Sequence, residues 1–593
     1  MSESRQEVLS AHFFVESALT QLIERAARAT GLFDESFSAD IRPADPRFGD
    51  FQANGVLPFA KRNKQNPRAL AETLASKLQS EPTLDGLAVI SVAGPGFINF
   101  SLTPRFLLSW LKNFASETSF QSSAKHFLEG KRISIDYSSP NTAKQMHVGH
   151  LRSMIIGESI QRILRFCGAS VHRDNHIGDW GTQFGILLFA IKKNQVDLAT
   201  LQEPLEELEK LYKEGYALTK TSEEALNGAR SELVKLQQGD AENLHLWQQI
   251  NAVSYRAFDE IYAEMDIAFD NVWGESFYRD KVDRVYNELH ECGVSEESDG
   301  AQVVFHRDVE QFKDQPFLIR KSDGASNYAS TDLATVLFKV LECGFGEIVY
   351  VTDGRQQDHF QQLFLTVKKW FAKKHYPMPE LHHVWFGTIL GEDGKAIKTR
   401  SGDPIRLKEL IREAIARAYS IVEEKNPDLA ESDKQHIAKA VGLGALRYAD
   451  LVQNRTNDYV FAWDKLLSFD GNTAPYLLYA VARIHAIFRK AQLPLFDLDN
   501  SASAFETPEE LALAKKLVAF PFALKQAIDE LRPHFICHYL FELSSLFSSF
   551  YNANRVLVDE TDVKARRFLL CSRTLATLET GLHLLGIKTL HLM

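Results

Sequence analysis

The sequence predicts a chain in three parts: an N-terminal α+β domain, a central α/β domain on a parallel sheet, and a C-terminal all-α domain. Three observations predict it. Residues 1 to about 115 mix helical and strand-like spacing. From about Lys131 a strand, a crossover helix and a second strand follow one another. From about Leu407 to the end the chain reads as helix after helix. A chain of 593 residues has room for roughly four domains of ordinary size.

The elements follow in order. Ala11–Leu32 carries apolar residues at helical spacing. Pro67–Leu78 is a second helix, entered through Asn66 and Pro67 in the usual order of cap then proline. Leu87–Val92 and Gly96–Leu102 are strands flanking the turn Gly94-Pro95-Gly96. Arg132–Tyr137 is a strand, Gly149–Cys167 a helix ended by Gly168, and Ala169–Arg173 the next strand. This βαβ order implies a parallel sheet. Further strands are expected at Glu347–Thr352 and His383–Phe386. Between them, Val196–His245 is polar, acid-rich and helical in period, and reads as part of an insertion near 190–300. In the last part, Thr473 can cap Pro475–Lys490, and Leu531–Tyr551 and Ala565–Leu585 are amphipathic helices.

Composition removes several classes. With 45% hydrophobic and 24% charged residues the chain is not a disordered polymer. The net charge of −11 excludes a small basic nucleic-acid module, although a basic track can sit on an acidic body. Five scattered cysteines with no C-x-x-C pair argue against a disulfide framework or a cysteine zinc site, and favour a reducing, cytoplasmic setting. No secretory signal or run of about 20 apolar residues is read, so no membrane is expected.

Four segments carry chemistry. His147-Val148-Gly149-His150 stands after a strand and turn at the mouth of a helix, where free N–H groups and the helix dipole attract anions. Two histidines three apart share a face and can donate to a phosphate whose charge grows. Taken alone, a pair of capping or core histidines is the better reading. Lys395–Gly402 is a basic loop bounded by glycines, suited to closing over pyrophosphate, or simply a solvated turn. Asn175-His-Ile-Gly-Asp-Trp-Gly-Thr-Gln-Phe-Gly185 is a glycine- and polar-rich block after a strand, where parallel sheets bind ligands. Tyr328 and Asp332 lie four apart in the helical run Asn327–Val340, an aromatic ring plus a carboxylate for a planar cation, although spacing alone favours a core tyrosine with a helix-start aspartate.

Together and in this order these pieces resemble one family over essentially the whole chain. Asp136-Tyr-Ser-Ser-Pro-Asn-Thr-Ala-Lys-Gln-Met-His-Val-Gly-His-Leu-Arg152 is similar to the signature segment of class I arginyl-tRNA synthetases. The Asn175–Gly185 block, the Tyr328/Asp332 pair and the Arg455–Arg483 stretch match it too. The resemblance implies a Rossmann-type catalytic domain at 116–406, an N-terminal domain at 1–115 contacting the tRNA D-loop corner, and an anticodon-binding helical domain at 407–593.

The resemblance assigns roles by position. His147, Val148, Gly149 and His150 match the ATP-binding signature, and Lys144 a lysine that helps hold the phosphates. Asp136, Ser139, Asn141, Tyr328, Asp332 and Gln356 match positions contacting arginine, whose rigid fork of donors needs acceptors in plane. Tyr479, Arg483, Tyr551 and Met593 match anticodon contacts, and Phe97 and Asn99 D-loop contacts. Lys61, Arg62, Lys64 and Arg68 can meet backbone phosphates, or equally form a solvated face. The chain departs from the class I pattern Lys-Met-Ser-Lys-Ser: Ala396-Ile-Lys-Thr-Arg400 has no lysine at either lysine position. Lys144 with Lys398 or Arg400 is the expected replacement. The implied activity is arginine–tRNA ligation through an arginyl-adenylate, with activation dependent on bound tRNA. Expected partners are tRNA(Arg), L-arginine and ATP with Mg2+, no protein metal site, and a monomeric chain. The rivals are another class I synthetase and a non-catalytic tRNA-binding paralogue.

Overall fold

The computed structural model describes residues 8–45, 47–322, 324–397, 404–494, 502 and 505–593. It divides into two compact units.

The first unit joins the two ends of the chain: the N-terminal residues to Phe127, Phe166–Gly168 and Ser468–Met593. Its antiparallel sheet runs Ile41–Pro43, Phe51–Ala53, Phe97–Leu102, Ala88–Ala93. Gly94 and Gly96 take φ of 55° and 144°, so the last hairpin turns where only glycine is unstrained. The helices Val15–Thr30 and Pro67–Gln79 form as expected, and the Asn66 side chain accepts from the Arg68 and Ala69 amides. The expected C-terminal helices are Ala474–Ala491, His534–Ala553 and Thr561–Leu584. Phe13 stacks on Trp110 and Phe120 and meets Phe520 edge-on, so both ends of the chain share this core. The buried Arg573 donates to the Leu111 carbonyl at 2.6 Å, and Lys515 pairs with Asp50 at 2.9 Å.

The second unit spans Leu128–Arg165 and Ala169–Leu467. Its four-stranded sheet is wholly parallel, in the order Glu380–His383, Glu347–Tyr350, Arg132–Asp136, Ser170–Asp174. The helix Val148–Phe166 is the crossover between the last two. The strand expected at His383–Phe386 lies three residues earlier, because Tyr350 pairs with His383 and the register runs back to Glu347 with Glu380. The insertion contains the helices Pro204–Thr221, Glu223–Gln237 and Ala241–Glu264, packed on Phe184, Leu187 and Leu188. It is followed by an antiparallel sheet of Glu296–Ser298, Ala301–Val304 and Phe317–Arg320, which the sequence reading missed. Asp299-Gly300, with φ of 49° and 74°, was the available hairpin signal.

The expected boundary at 406/407 falls, by packing, at 467/468. The helices Leu407–Lys425 and Glu431–Leu451 belong to the sheet unit and cross each other closely at Gly442, where a Cβ would come within 2.9 Å of Ala414 backbone. Helical texture alone cannot reveal which core a helix joins. No helix among the described residues is long and apolar enough to cross a membrane.

Candidate active site

The chain leaves Arg132–Asp136 toward one neighbour, Ser170–Asp174, and returns on the other side as Glu347–Tyr350. The carboxyl ends of Arg132–Asp136 and Glu347–Tyr350 therefore form the topological switch point at which such sheets bind ligands. The loop after Asp136 holds Ser138, Ser139 and Ala143 at φ of 78°, 47° and 59°. Left-handed conformations at non-glycine residues are costly and persist only when surroundings over-determine them. Here the Ser138 amide donates to Ser153 Oγ, the Ser139 amide to Asn175 Oδ1 and the Ala143 amide to Ser254 Oγ. Asn175 in turn donates to Tyr262 Oη at 2.9 Å.

The Asn175–Gly185 block is stitched to this loop. The Gly178 amide donates to the Pro140 carbonyl, and the Thr142 amide to the Gly178 carbonyl. A Cβ on Gly178 would lie 2.1 Å from Asn141 Oδ1, so glycine there makes room for the asparagine side chain.

The two histidines form a preorganised turn. The Gly149 amide donates to His147 Nδ1 and the His147 amide to His150 Nδ1, each at 3.1 Å. The rings lie 4.1 Å apart. Each Nδ1 is an acceptor, so the proton of each neutral ring sits on Nε2. Burial, then the neighbouring His147, pushes His150 down to about 3. Burial also lowers His147, overcoming the opposing pull of Glu209, with Arg355 and Lys144 adding to the fall. Glycine at 149 also makes room for the turn itself: a Cβ there would meet the His147 ring at 2.9 Å. The turn is bonded to the chain beyond the basic loop, since the Val148 amide donates to the Ile405 carbonyl and the Leu407 amide to the Met146 carbonyl. Arg406 is held by Glu206 at 3.0 and 3.1 Å. Lys398 and Arg400 lie outside the described residues. Lys144 Nζ sits 4.9 Å from the centre of the Tyr212 ring.

Beside this turn is an acid-rich cleft. Asp136 is buried and accepts from Ser139 Oγ at 3.1 Å and from the His176 amide at 3.3 Å. Burial, and Asp174 beside it, hold its carboxyl above the usual range despite Lys339 and His176. Asp174 and Lys339, both fully buried, pair at 2.8 Å. His359 Nε2 lies 2.5 Å from Asp332 Oδ2. A cavity of about 400 Å³ is lined by Asn141, Gln183, Glu275, Arg279 and Tyr328 among others. Burial, with Asp179 and Asp332 nearby, pushes Glu275 up to about 7 against the pull of His176. Burial disfavours charge on His176, but Asp136, Asp332, Asp174 and Glu275 together raise it. Burial thus favours the neutral forms of Asp136 and Glu275, and a cation bound against them would favour the ionised ones.

Of the residues expected to contact arginine, Asn141 and Tyr328 line the cavity, Asp136 and Ser139 bond to each other, and Asp332 is held by His359. Gln356 is exposed at the start of the helix Gln357–Lys374. Glu275, His176, His359 and Lys339 escaped the sequence reading. Lys339 offered a signal: a lysine inside the apolar run Leu333–Leu341 needs a buried partner. Glu275 offered none, because only folding brings Asn271–Tyr278 to the cleft.

In the first unit, Tyr479 and Tyr551 are exposed and Arg483 bridges them, 4.9 and 5.6 Å from the two ring centres. Met593 and Phe97 are half-buried. Asn99 is a correction: it is 1% exposed and its carboxamide accepts from Gln52 at 2.8 Å, so the sheet uses it rather than the surface. Arg68 is tied to Glu72, and Arg62 to the Ser36 carbonyl.

A parallel sheet with a histidine turn at its switch point and a polar pocket in the same unit fits a class I, nucleotide-using catalytic domain. The family model described as tRNA synthetases class I (R), catalytic domain, matches residues 115–463. The DALR anticodon binding domain matches 477–593 and the arginyl tRNA synthetase N terminal domain 16–102. The arginine–tRNA ligases of Chromobacterium violaceum and Marinomonas sp. are 42% and 40% identical, each alignment covering 98% of this chain and 100% of the relative. The arginyl-tRNA synthetase of Plasmodium falciparum superposes with a TM-score of 0.82 at 28% identity over 98% of this chain and 99% of its own. That of Thermus thermophilus gives 0.81 at 25% identity over 98% and 100%. The chain belongs to the class I arginyl-tRNA synthetase family.

Proposed function

We propose that the protein joins L-arginine to tRNA(Arg) in two steps. The arginine carboxylate attacks the α-phosphate of ATP and expels pyrophosphate. A hydroxyl of the terminal tRNA adenosine then attacks the arginyl-adenylate carbonyl and releases AMP. The observation that carries this reading is the acidic cleft beside two neutral imidazoles whose Nε2–H groups are free to donate. The cleft takes the guanidinium through Asp136, Asn141, Glu275, Tyr328 and Asp332. The histidines donate to phosphate oxygens as charge grows on them.

Lys144, with Lys398 or Arg400, supplies the positive charge that the altered lysine motif lacks. Arg355 adds to it: it is 88% exposed, held by a two-point contact with Asp353, and acts electrostatically on His147. Mg2+ enters with ATP, whose phosphates hold it. Neither of the two candidate metal clusters among the described residues includes a residue of this cleft. Tyr479, Arg483, Tyr551 and Met593 contact the anticodon loop, and Phe97 the D-loop corner. Binding of tRNA is required for activation, and the chain works as a monomer in the cytoplasm.

The test is arginine-dependent exchange of labelled pyrophosphate into ATP, with and without tRNA(Arg). Exchange that needs both supports the reading. Tight tRNA binding with no exchange in either case would replace it with the non-catalytic one.

A further inference from the structure

Three carboxylates serve the proposed guanidinium cleft, and the fold treats each differently. Asp136 is buried and shared between Ser139 Oγ and the His176 amide. Glu275 is fixed through its backbone, whose amide donates to the Ile177 carbonyl at 3.0 Å. Asp332 is anchored by its side chain: Oδ2 lies 2.5 Å from His359 Nε2. Among the described residues no other group takes its carboxylate, so Oδ1 is left for a ligand.

His359 is itself braced. It stands in the first turn of the helix Gln357–Lys374, which packs against the helix Tyr328–Leu341 that carries Asp332. Its ring meets those of the buried Phe317 and Phe360, with centroids 5.6 and 5.3 Å away. The His359 and Asp332 side chains keep 26% and 18% of their exposure, so a ligand can still reach the carboxylate.

The type of partner matters. Asp174 and Asp353, in the same unit, are taken by cations: Lys339 at 2.8 Å, and Arg355 through two contacts. A lysine or arginine on Asp332 would occupy the place of the guanidinium and repel it. An imidazole needs only its Nε2 proton to make the bond, and in its neutral form it leaves the negative charge of the carboxylate to the ligand.

We infer that His359 is a positioning residue for arginine: by holding Oδ2 it sets the plane of the Asp332 carboxylate to meet the guanidinium fork. The inference rests on the proposed reading of the cleft. Guanidinium and carboxylate bond best as coplanar forks, and Oδ2 keeps a second lone pair for that purpose. The last torsion of an unheld aspartate is broad, and fixing it on binding would lower affinity. His359 does this ordering before arginine arrives.

The test is pyrophosphate exchange by the full chain with tRNA(Arg), read as kcat and as separate KM values for arginine and ATP. His359→Ala should raise the KM for arginine about tenfold, the scale seen when the partner behind a ligating group is lost, with kcat and the KM for ATP within about twofold of wild type. Its Tm should not change. His359→Gln, whose Nε2 donates from a similar reach, should restore most of the loss. Asp332→Asn separates the inference from the reading beneath it. If that variant raises the KM for arginine or abolishes exchange while His359→Ala does neither, the cleft reading stands and the inference falls. The inference also falls if His359→Gln is no better than His359→Ala, or if His359→Ala lowers Tm and kcat and leaves the KM for arginine as it was. An unchanged KM for arginine in Asp332→Asn overturns the cleft reading, and the inference with it.

Discussion

The Arg152 guanidinium lies 2.9 Å from the Asp450 carboxylate, and both side chains are 1% exposed or less. Arg152 sits two residues after His150 on the helix Val148–Phe166, and Asp450 near the end of Glu431–Leu451. The same guanidinium donates to the Asn457 and Arg455 carbonyls and is flanked by Phe386 and Tyr459. The helix bearing the histidine turn is thus bolted to the last helices of its unit.

Removing one partner leaves the other charge buried alone. Arg152→Ala and Asp450→Ala are each expected to lower stability by about 3–5 kcal/mol. Urea unfolding of the two variants checks this. Values within experimental error of wild type would mean that the pair is solvated in practice.

His147→Ala and His150→Ala each remove one preorganised donor. A loss of about 10²–10³ in the rate of pyrophosphate exchange is expected for each. The Kd for tRNA, measured by filter binding, should stay unchanged. A weakened tRNA complex with normal exchange would contradict the assignment.

Glu275 gives a pH signature. With its carboxyl pushed up to about 7, it is half protonated in the free protein near neutrality. A guanidinium favours the ionised form, so binding expels the proton. Arginine affinity should therefore rise as pH climbs through 7 and level off above it. Calorimetry in buffers of different ionisation heat reads the released proton directly. Glu275→Gln should bind more weakly and lose this rise; a variant that keeps the slope would assign it to another group.

Gly178→Ala tests the stitching of the two loops. The new methyl meets the end of the Asn141 side chain, which can swing away, so the fold survives. The arginine pocket loses a hydrogen-bonding group, about 1 kcal/mol, and KM for arginine rises several-fold. Circular dichroism and steady-state exchange separate this from simple unfolding.

Much of this protein was legible in its residues. Asn66-Pro67 and Thr473 marked helix starts because capping is a local hydrogen bond, satisfied within three residues. The strand, turn and helix around His147 were legible because βαβ units carry their own periodicity. Tyr328 and Asp332 were legible through motif order rather than through a contact. What the sequence left open was every relationship made by distant segments. Asn99 reads as a D-loop contact until Gln52 is brought alongside it. Asp136, Asp174 and Lys339 become one electrostatic system only when strands 38 residues apart pair in parallel and a helix from beyond residue 300 lies across them. Likewise the two chain ends share one core, and the helices Leu407–Lys425 and Glu431–Leu451 join the sheet unit instead. Local structure follows from interactions between near neighbours, which a sequence displays. Burial, field and proton affinity depend on what the whole fold packs around a group, and only the tertiary structure decides them.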